Sequence, residues 1–313
     1  MNRRIISGLG VGIIFILMLS FVVFTNREPI NDELPSKLLV VVTTFPLYDF
    51  TLNVAGNIVE IKPLYQLNQD NHEWELDHRS VELVKKSDIL IYNSATNDHY
   101  VNELIEISGN NELVLIDASD GLDLIKIDGF IDPHVSLDPL NAITQVELIR
   151  DALIILDKNN QERYQSKSTE YLIQLKLLHT EISRELENIK MKEFITHHGS
   201  FSYFAKRYDL VQHVIDGHSR NHHHDPTARD ISNIVNLVKA RGIRVIYSDV
   251  FGDSKIPQLI AKEIGGKIMT LDPMDGVSDI EFSEGISYLS KMRENLSRLL
   301  HGLNVEKLNS ENN

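Results

Sequence analysis

From Lys158 to Lys192 the chain carries no proline and no glycine, and its apolar residues keep one spacing. Tyr164, Tyr171, Leu175, Leu178, Ile182, Leu186 and Ile189 recur at intervals of three, four or seven residues, which places them on one face of an α-helix. At 3.6 residues per turn the stretch makes a helix of about eight turns or more. A dimeric coiled coil would use the same stripe. A single helix between two similar halves, however, more naturally spans both as a connector. Such a connector permits small tilts between the halves and resists wide hinge opening.

The two halves are indeed alike. Short β-branched apolar runs stand at 38–43, 58–64, 89–93 and 113–117, and again at 193–196, 211–216, 244–248 and 267–271. They lack polar alternation, as strands buried on both faces of a parallel sheet do. Helical stretches lie between them, at 80–86 and 100–107 in the first half and at 201–208, 227–240, 255–264 and 286–300 in the second. Asp138-Pro139 opens a further helix to about residue 156, with Asp as N-cap and Pro at the first helical position. The expected fold class is α/β: two doubly wound parallel-sheet lobes, 38–157 and 193–313, joined by the linker helix 158–192. The length of 313 residues agrees, because a single core rarely grows beyond about 250–300.

Residues 1–37 stand apart. Arg3 and Arg4 precede an uncharged apolar stretch from Ile5 to Phe24, which ends before Asn26 and Arg27. A secretory apolar region spans about 7–15 residues and a bilayer-crossing helix about 20. This stretch sits at the boundary, and no small-x-small cleavage site follows it. The expectation is an uncleaved N-terminal anchor on the membrane, with a removed signal peptide as the alternative. The positive flank keeps the N-terminus cytoplasmic and places everything after the anchor outside. The polar residues 28–37, with Pro29 and Pro35, read as a tether.

Charge and cysteine narrow the chemistry. A formal net charge of −14 argues against nucleic acid as partner. With no cysteine in the chain, there is no disulfide framework, thiolate site or thiol nucleophile. Any transition-metal site must then use His, Asp and Glu, which suits zinc or manganese.

Four such residues fall just beyond the carboxyl ends of expected strands, where ligands bind in open α/β sheets. His72 lies in Asn71-His72-Glu73-Trp74-Glu75, His134 in the segment DPHVSLDP, His198 in Thr196-His197-His198-Gly199, and Asp272 in Leu271-Asp272-Pro273. Singly, each has a plain structural role: His72 packed on Trp74, His134 capping a helix, His198 satisfied in the interior, Asp272 capping a turn. Together on one rim, three imidazoles and a carboxylate match a tetrahedral zinc site. A zinc hydrolase fits less well. HEWEL at His72 lacks the second His of an H-E-x-x-H motif, and four protein ligands leave no place for a reactive water. No P-loop, G-x-S-x-G elbow or dinucleotide-binding glycine turn is present, so the chain is not read as an enzyme.

Longer segments carry a family likeness. VVTTFPLYDFTLNVAGNIVEIKPL, NHEWELD, DPHVSLDP, FITHHGSFSYFAKRYDL and the closing GISYLSKMRENLSRLLHGL resemble the solute-binding proteins of zinc and manganese ABC importers, over residues 38–303. The resemblance implies an ion held between two lobes joined by one long helix. Its ligands carry over to His72, His134, His198 and Asp272, the third position being His in zinc-type members and Glu in manganese-type ones. It further implies a monomeric extracytoplasmic carrier that delivers Zn2+ to an ABC importer permease. Mn2+ is the alternative cargo and a surface adhesin on the same scaffold the alternative role. The sequence departs from the family pattern at Asn71, where Pro is usual, at Asp77 and His78, which replace Ser/Thr-Pro, and at Ser136, which replaces Trp. The lipidated Cys of many members is absent, consistent with a peptide anchor. His222, His223 and His224 form a separate cluster, read either as a solvated loop or as a secondary zinc site. The helix beginning at Asp225-Pro226 disfavours a cation there.

Overall fold

Each half builds a four-stranded parallel sheet, and the two sheets share one strand order. In the computed structural model the first half holds β1 (Leu39–Val42), β2 (Glu60–Pro63), β3 (Ile89–Tyr92) and β4 (Val114–Asp117), in the order β2-β1-β3-β4. A small antiparallel hairpin follows, β5 (Lys126–Ile127) and β6 (Phe130–Ile131). The second half holds β7 (Glu193–Thr196), β8 (Val211–Val214), β9 (Val245–Ser248) and β10 (Lys267–Thr270), in the order β10-β9-β7-β8. From β1 the chain goes to β2 on one side and crosses to β3 on the other, and β7 stands in the same relation to β8 and β9. The carboxyl ends of β1/β3 and β7/β9 are therefore topological switch points, where open sheets leave a crevice. The structure describes residues 37–64, 66, 74, 76–93, 100–127, 129–215, 227–250 and 255–304. The 5–24 stretch, His72 and the His222–His224 cluster lie outside the described residues. Among the described residues no helix is long and apolar enough to cross a membrane.

The helices are α1 (Phe45–Ala55), α2 (His78–Lys86), α3 (Tyr100–Ser108), α4 (Pro139–Leu156), α5 (Gln161–Glu187), α6 (Ser202–Arg207), α7 (Ala228–Arg241), α8 (Lys255–Ile264), α9 (Asp279–Ser283) and α10 (Tyr288–Leu303). They cover both faces of both sheets, which is why the strands read as unbroken apolar runs. Val40 and Val42 point into one large cluster, while Val41 points the other way, toward Val84, Leu90 and Leu104. In the second half Phe194 joins the large cluster and Ile195 packs on the far side with Ile246 and Ile260. The large cluster does not stop at a lobe boundary. It runs from Val40 and Phe50 through α4 and α5 to Phe194, Tyr247 and Leu299.

The connector α5 has 27 residues, about 40 Å at 1.5 Å per residue. It is shorter than the expected 158–192 at both ends, for local reasons. Asp157 accepts from Asn160 Nδ2 at 2.7 Å and from Tyr164 Oη at 2.8 Å, and a tight 3-10 turn fills Lys158–Asn160 before α5 begins. At the far end Lys192 Nζ donates to the Leu186 carbonyl at 2.8 Å, satisfying a carbonyl of the last turn. All seven residues of the apolar stripe are buried, with α5 packed on α1, α4 and α10. The stripe is thus used within the chain.

Asp77 answers one departure from the family pattern. It caps α2, accepting from Ser80 N at 2.8 Å while its own N–H donates to Ser80 Oγ at 3.3 Å. This reciprocal box fixes the helix entry that a proline would otherwise stiffen.

Asp49 on α1 is buried and accepts from Tyr171 Oη of α5 at 2.8 Å and from Asn53 Nδ2 at 3.2 Å. Burial raises its pKa to about 6, against the lowering effect of the Tyr171 bond. Between about pH 4 and that value the folded protein holds a proton that the unfolded chain has released, so stability falls as pH rises through the window. Asp49→Asn is therefore expected to stabilise the fold by about 2–3 kcal/mol at pH 8 and to give almost no gain at pH 3.5. Urea unfolding at the two pH values measures this, and equal gains at both would contradict it.

Candidate metal centre

His134 sits in the segment between β6 and α4. Asp132 Oδ1 accepts from the His134 backbone N–H at 3.0 Å and from Nδ1 at 2.7 Å. A carboxylate only accepts, so Nδ1 carries the hydrogen and the ring is held with Nε2 turned away from Asp132. Nε2 stands 3.4 Å from Asp275 Oδ2. Burial alone disfavours the imidazolium, but the Asp275 and Asp132 carboxylates outweigh it and hold the pKa of His134 up at about 10.

The segment itself is pinned by polar groups where the family has Trp. Ser136 Oγ donates to Gln145 Oε1 at 2.9 Å, and Gln145 Nε2 donates to Asn93 Oδ1 at 2.8 Å. Tyr288 Oη of α10 donates to the Ser136 carbonyl at 2.7 Å. Asp138 caps α4 through Leu140 N at 2.9 Å and also accepts from Arg207 Nε at 2.7 Å. Tyr203 of α6 reaches across in both senses: its hydroxyl donates to the Asp132 carbonyl at 3.0 Å and accepts from Ile125 N at 3.0 Å. Helix α6 thereby grips the first half directly beside His134.

His198 follows β7 on the segment that leads into α6. Its carbonyl accepts from Thr196 Oγ1 at 2.6 Å, Ser200 N at 3.1 Å and Gln212 Nε2 at 3.3 Å. That fixes the backbone and leaves the half-buried ring to face His134, centroid to centroid at 5.4 Å with an interplanar angle of 72°.

Asp272 follows β10, as expected, yet both of its carboxylate oxygens are engaged elsewhere. Oδ1 accepts from Met274 N at 2.8 Å and Oδ2 from Lys291 Nζ at 2.5 Å. Asn295 clasps its backbone on both sides, at 2.8 and 2.7 Å. The carboxylate brought to His134 is that of Asp275, three residues on. A cue existed in α10, where Lys291 lies on the same stripe as Tyr288, Met292 and Asn295. A lysine on a buried face needs a carboxylate partner, and the partner is Asp272. Burial pulls the Lys291 ammonium down, but Asp272 and Glu281 together raise it. Among the described residues no group of three or more His, Asp or Glu side chains is already arranged to hold a metal ion.

Two like-ordered parallel-sheet lobes, one long helix, and His and Asp side chains from separate segments of both lobes define a two-lobed solute-binding protein. The chain belongs to the family described as zinc-uptake complex component A periplasmic, whose model matches residues 40–302. It is similar to the high-affinity zinc uptake system protein ZnuA of Bacillus subtilis, 29% identical over 290 residues, covering 88% of this chain and 90% of that protein. Similarity extends to the zinc-binding protein AdcA of Streptococcus pyogenes, at 29% over 288 residues, where the chain spans only 55% of the relative's length. Among solved structures it matches the metal-dependent lipoprotein YcdH of Bacillus subtilis with a TM-score of 0.76 and 31% identity, covering 85% of this chain and 99% of that one. The Zn(II)-bound ZnuA-like domain of Streptococcus pneumoniae AdcA matches with a TM-score of 0.76 at 29% identity, covering 86% and 99%. The expected fold class, family and binding-protein character agree with these findings.

Proposed function

We propose that this chain captures Zn2+ in the crevice between its lobes, outside the cytoplasm, and passes it to an ABC importer permease. The observation that carries the reading is the 3.4 Å separation of His134 Nε2 and Asp275 Oδ2. Ligand atoms at about 2.0–2.2 Å from a tetrahedral ion stand roughly 3.3–3.6 Å from one another. The pair has the spacing of two ligands on one zinc, and the His198 ring flanks it. The proposed ligands are His134, His198 and Asp275, with Asp275 in the place expected for Asp272 and His72 as the remaining imidazole. Imidazole-rich ligation favours zinc, whereas manganese prefers oxygen-rich sites of higher coordination number. Family membership and the zinc named for its relatives support the same cargo. Anchoring through residues 5–24 and action as a monomer complete the proposal.

Metal analysis of the purified chain, followed by chelator competition with Zn2+ and Mn2+, tests it. One tightly held zinc per chain is expected, with Mn2+ binding far more weakly. Retention of manganese in place of zinc would overturn the assignment.

A further inference from the structure

The segment that carries Asp275 is closed at both ends by one ammonium. Lys291 Nζ lies 2.5 Å from Asp272 Oδ2 and 2.9 Å from Glu281 Oε1, and the lysine side chain is 1% exposed. Asp272 opens the segment and Glu281 ends it. Asp275 stands between them.

Inside this closure the backbone is held in a form it does not adopt freely. Met274 has φ +66°, a left-handed conformation that L side chains rarely take unless their surroundings impose it. Its N–H is fixed by Asp272 Oδ1 at 2.8 Å, and its side chain is buried. Glu281 is tied back in turn, since Oε2 accepts from Ser278 N at 2.9 Å and from Ser278 Oγ at 2.7 Å. The ammonium also lies 5.9 Å from the centroid of the Phe45 ring on α1, so the closure is referenced to the first lobe as well as the second.

We infer that Lys291 is a positioning residue for metal capture: by drawing Asp272 and Glu281 onto one buried ammonium, it sets the turn that presents Asp275 to His134. A buried ion pair with a merely structural role would support the fold anywhere along α10. Here both partners bracket a proposed ligand, and one of them directly holds the left-handed residue next to it. Partners of this kind, which orient a ligand without touching the ion, commonly change metal affinity by about 10–100-fold when removed. The inference rests on the reading of Asp275 as a ligand.

The test compares the full chain with three variants: Lys291→Met, Lys291→Met combined with Asp272→Asn, and Asp275→Ala. The double variant leaves no buried carboxylate without its cation, and the side-chain amide oxygen that Asp272→Asn introduces can still accept from the Met274 N–H. It therefore keeps the question open if the single variant fails to fold. Zn2+ affinity is read by chelator competition, apo stability by thermal unfolding, and coordination geometry by the visible bands of bound Co2+. The folded double variant is expected to bind Zn2+ about 10–100-fold more weakly, with altered Co2+ bands. Parent-like Zn2+ affinity and Co2+ bands, with only the melting temperature changed, would overturn the positioning role. If Asp275→Ala loses zinc while the double variant keeps it, the closure alone is refuted. If Asp275→Ala binds zinc as the parent does, the ligand reading falls, and the inference with it.

Discussion

His134→Ala is expected to weaken Zn2+ binding by more than about 100-fold while leaving the fold intact, because the loss of a ligand should exceed the 10–100-fold typical of outer-shell partners. The ring is the meeting point of the site. Asp132 holds Nδ1 at 2.7 Å, Asp275 faces Nε2 at 3.4 Å, and the His198 ring lies 5.4 Å away. Removing it also leaves the buried Asp132 carboxylate without its cationic partner, so a loss of apo stability of about 3 kcal/mol accompanies the loss of metal while the fold is retained. Chelator competition together with thermal unfolding checks both halves of this expectation. Parent-like zinc affinity would remove His134 from the ligand set.

The second large effect separates two aspartates that stand three residues apart. Asp272→Ala is expected to destabilise the protein by about 3 kcal/mol, the lower end of the 3–5 kcal/mol that follows when one partner of a buried ion pair is removed. The lower end applies because Glu281 Oε1 remains on Lys291 at 2.9 Å. Glu281 is itself held at a pKa of about 2: burial pulls it up, but the bonds from Lys291 and from the Ser278 backbone and hydroxyl together outweigh that. It therefore stays charged and available as a partner well below neutral pH. Asp275→Ala, at a half-buried position, should change stability little and zinc affinity strongly. Urea unfolding of the two apo variants reads the first contrast and zinc competition the second. The opposite pattern, with Asp272→Ala stable but metal-free, would return the ligand role to Asp272.

That contrast marks where sequence reading reaches and where it stops. The connector was legible because its stripe keeps a helical period over many turns, and the strands because burial on both faces leaves unbroken apolar runs. The hairpin β5–β6 was not legible, since two residues per strand are too few to establish a period. His198 could be picked out because it directly follows the strand at 193–196, and His134 because its segment DPHVSLDP leads into the helix that Asp138-Pro139 opens. The acidic position was harder. The strand-end rule selects the first carboxylate past β10, and only the partner on α10, 19 residues later, reveals that Asp272 is already committed. Ser136 shows the same limit from the other side. Its exchange for the family's Trp looks like a loss of packing until Gln145 and Asn93, the latter 52 residues away from Gln145, complete a buried polar chain in its place.

The core shared by the two lobes governs how an ion can leave. Swinging the lobes apart would bring apolar surface from Phe50, Leu175, Tyr288 and their neighbours into water. At about 25 cal/mol per Å², each 100 Å² so uncovered costs about 2.5 kcal/mol and lowers the population of the open form roughly seventyfold. A form gaping by several hundred Å² is then too rare to serve as an exit route. Release of the ion proposed to bind here would then proceed by exchanging a few bonds at the rim of a body that scarcely changes shape.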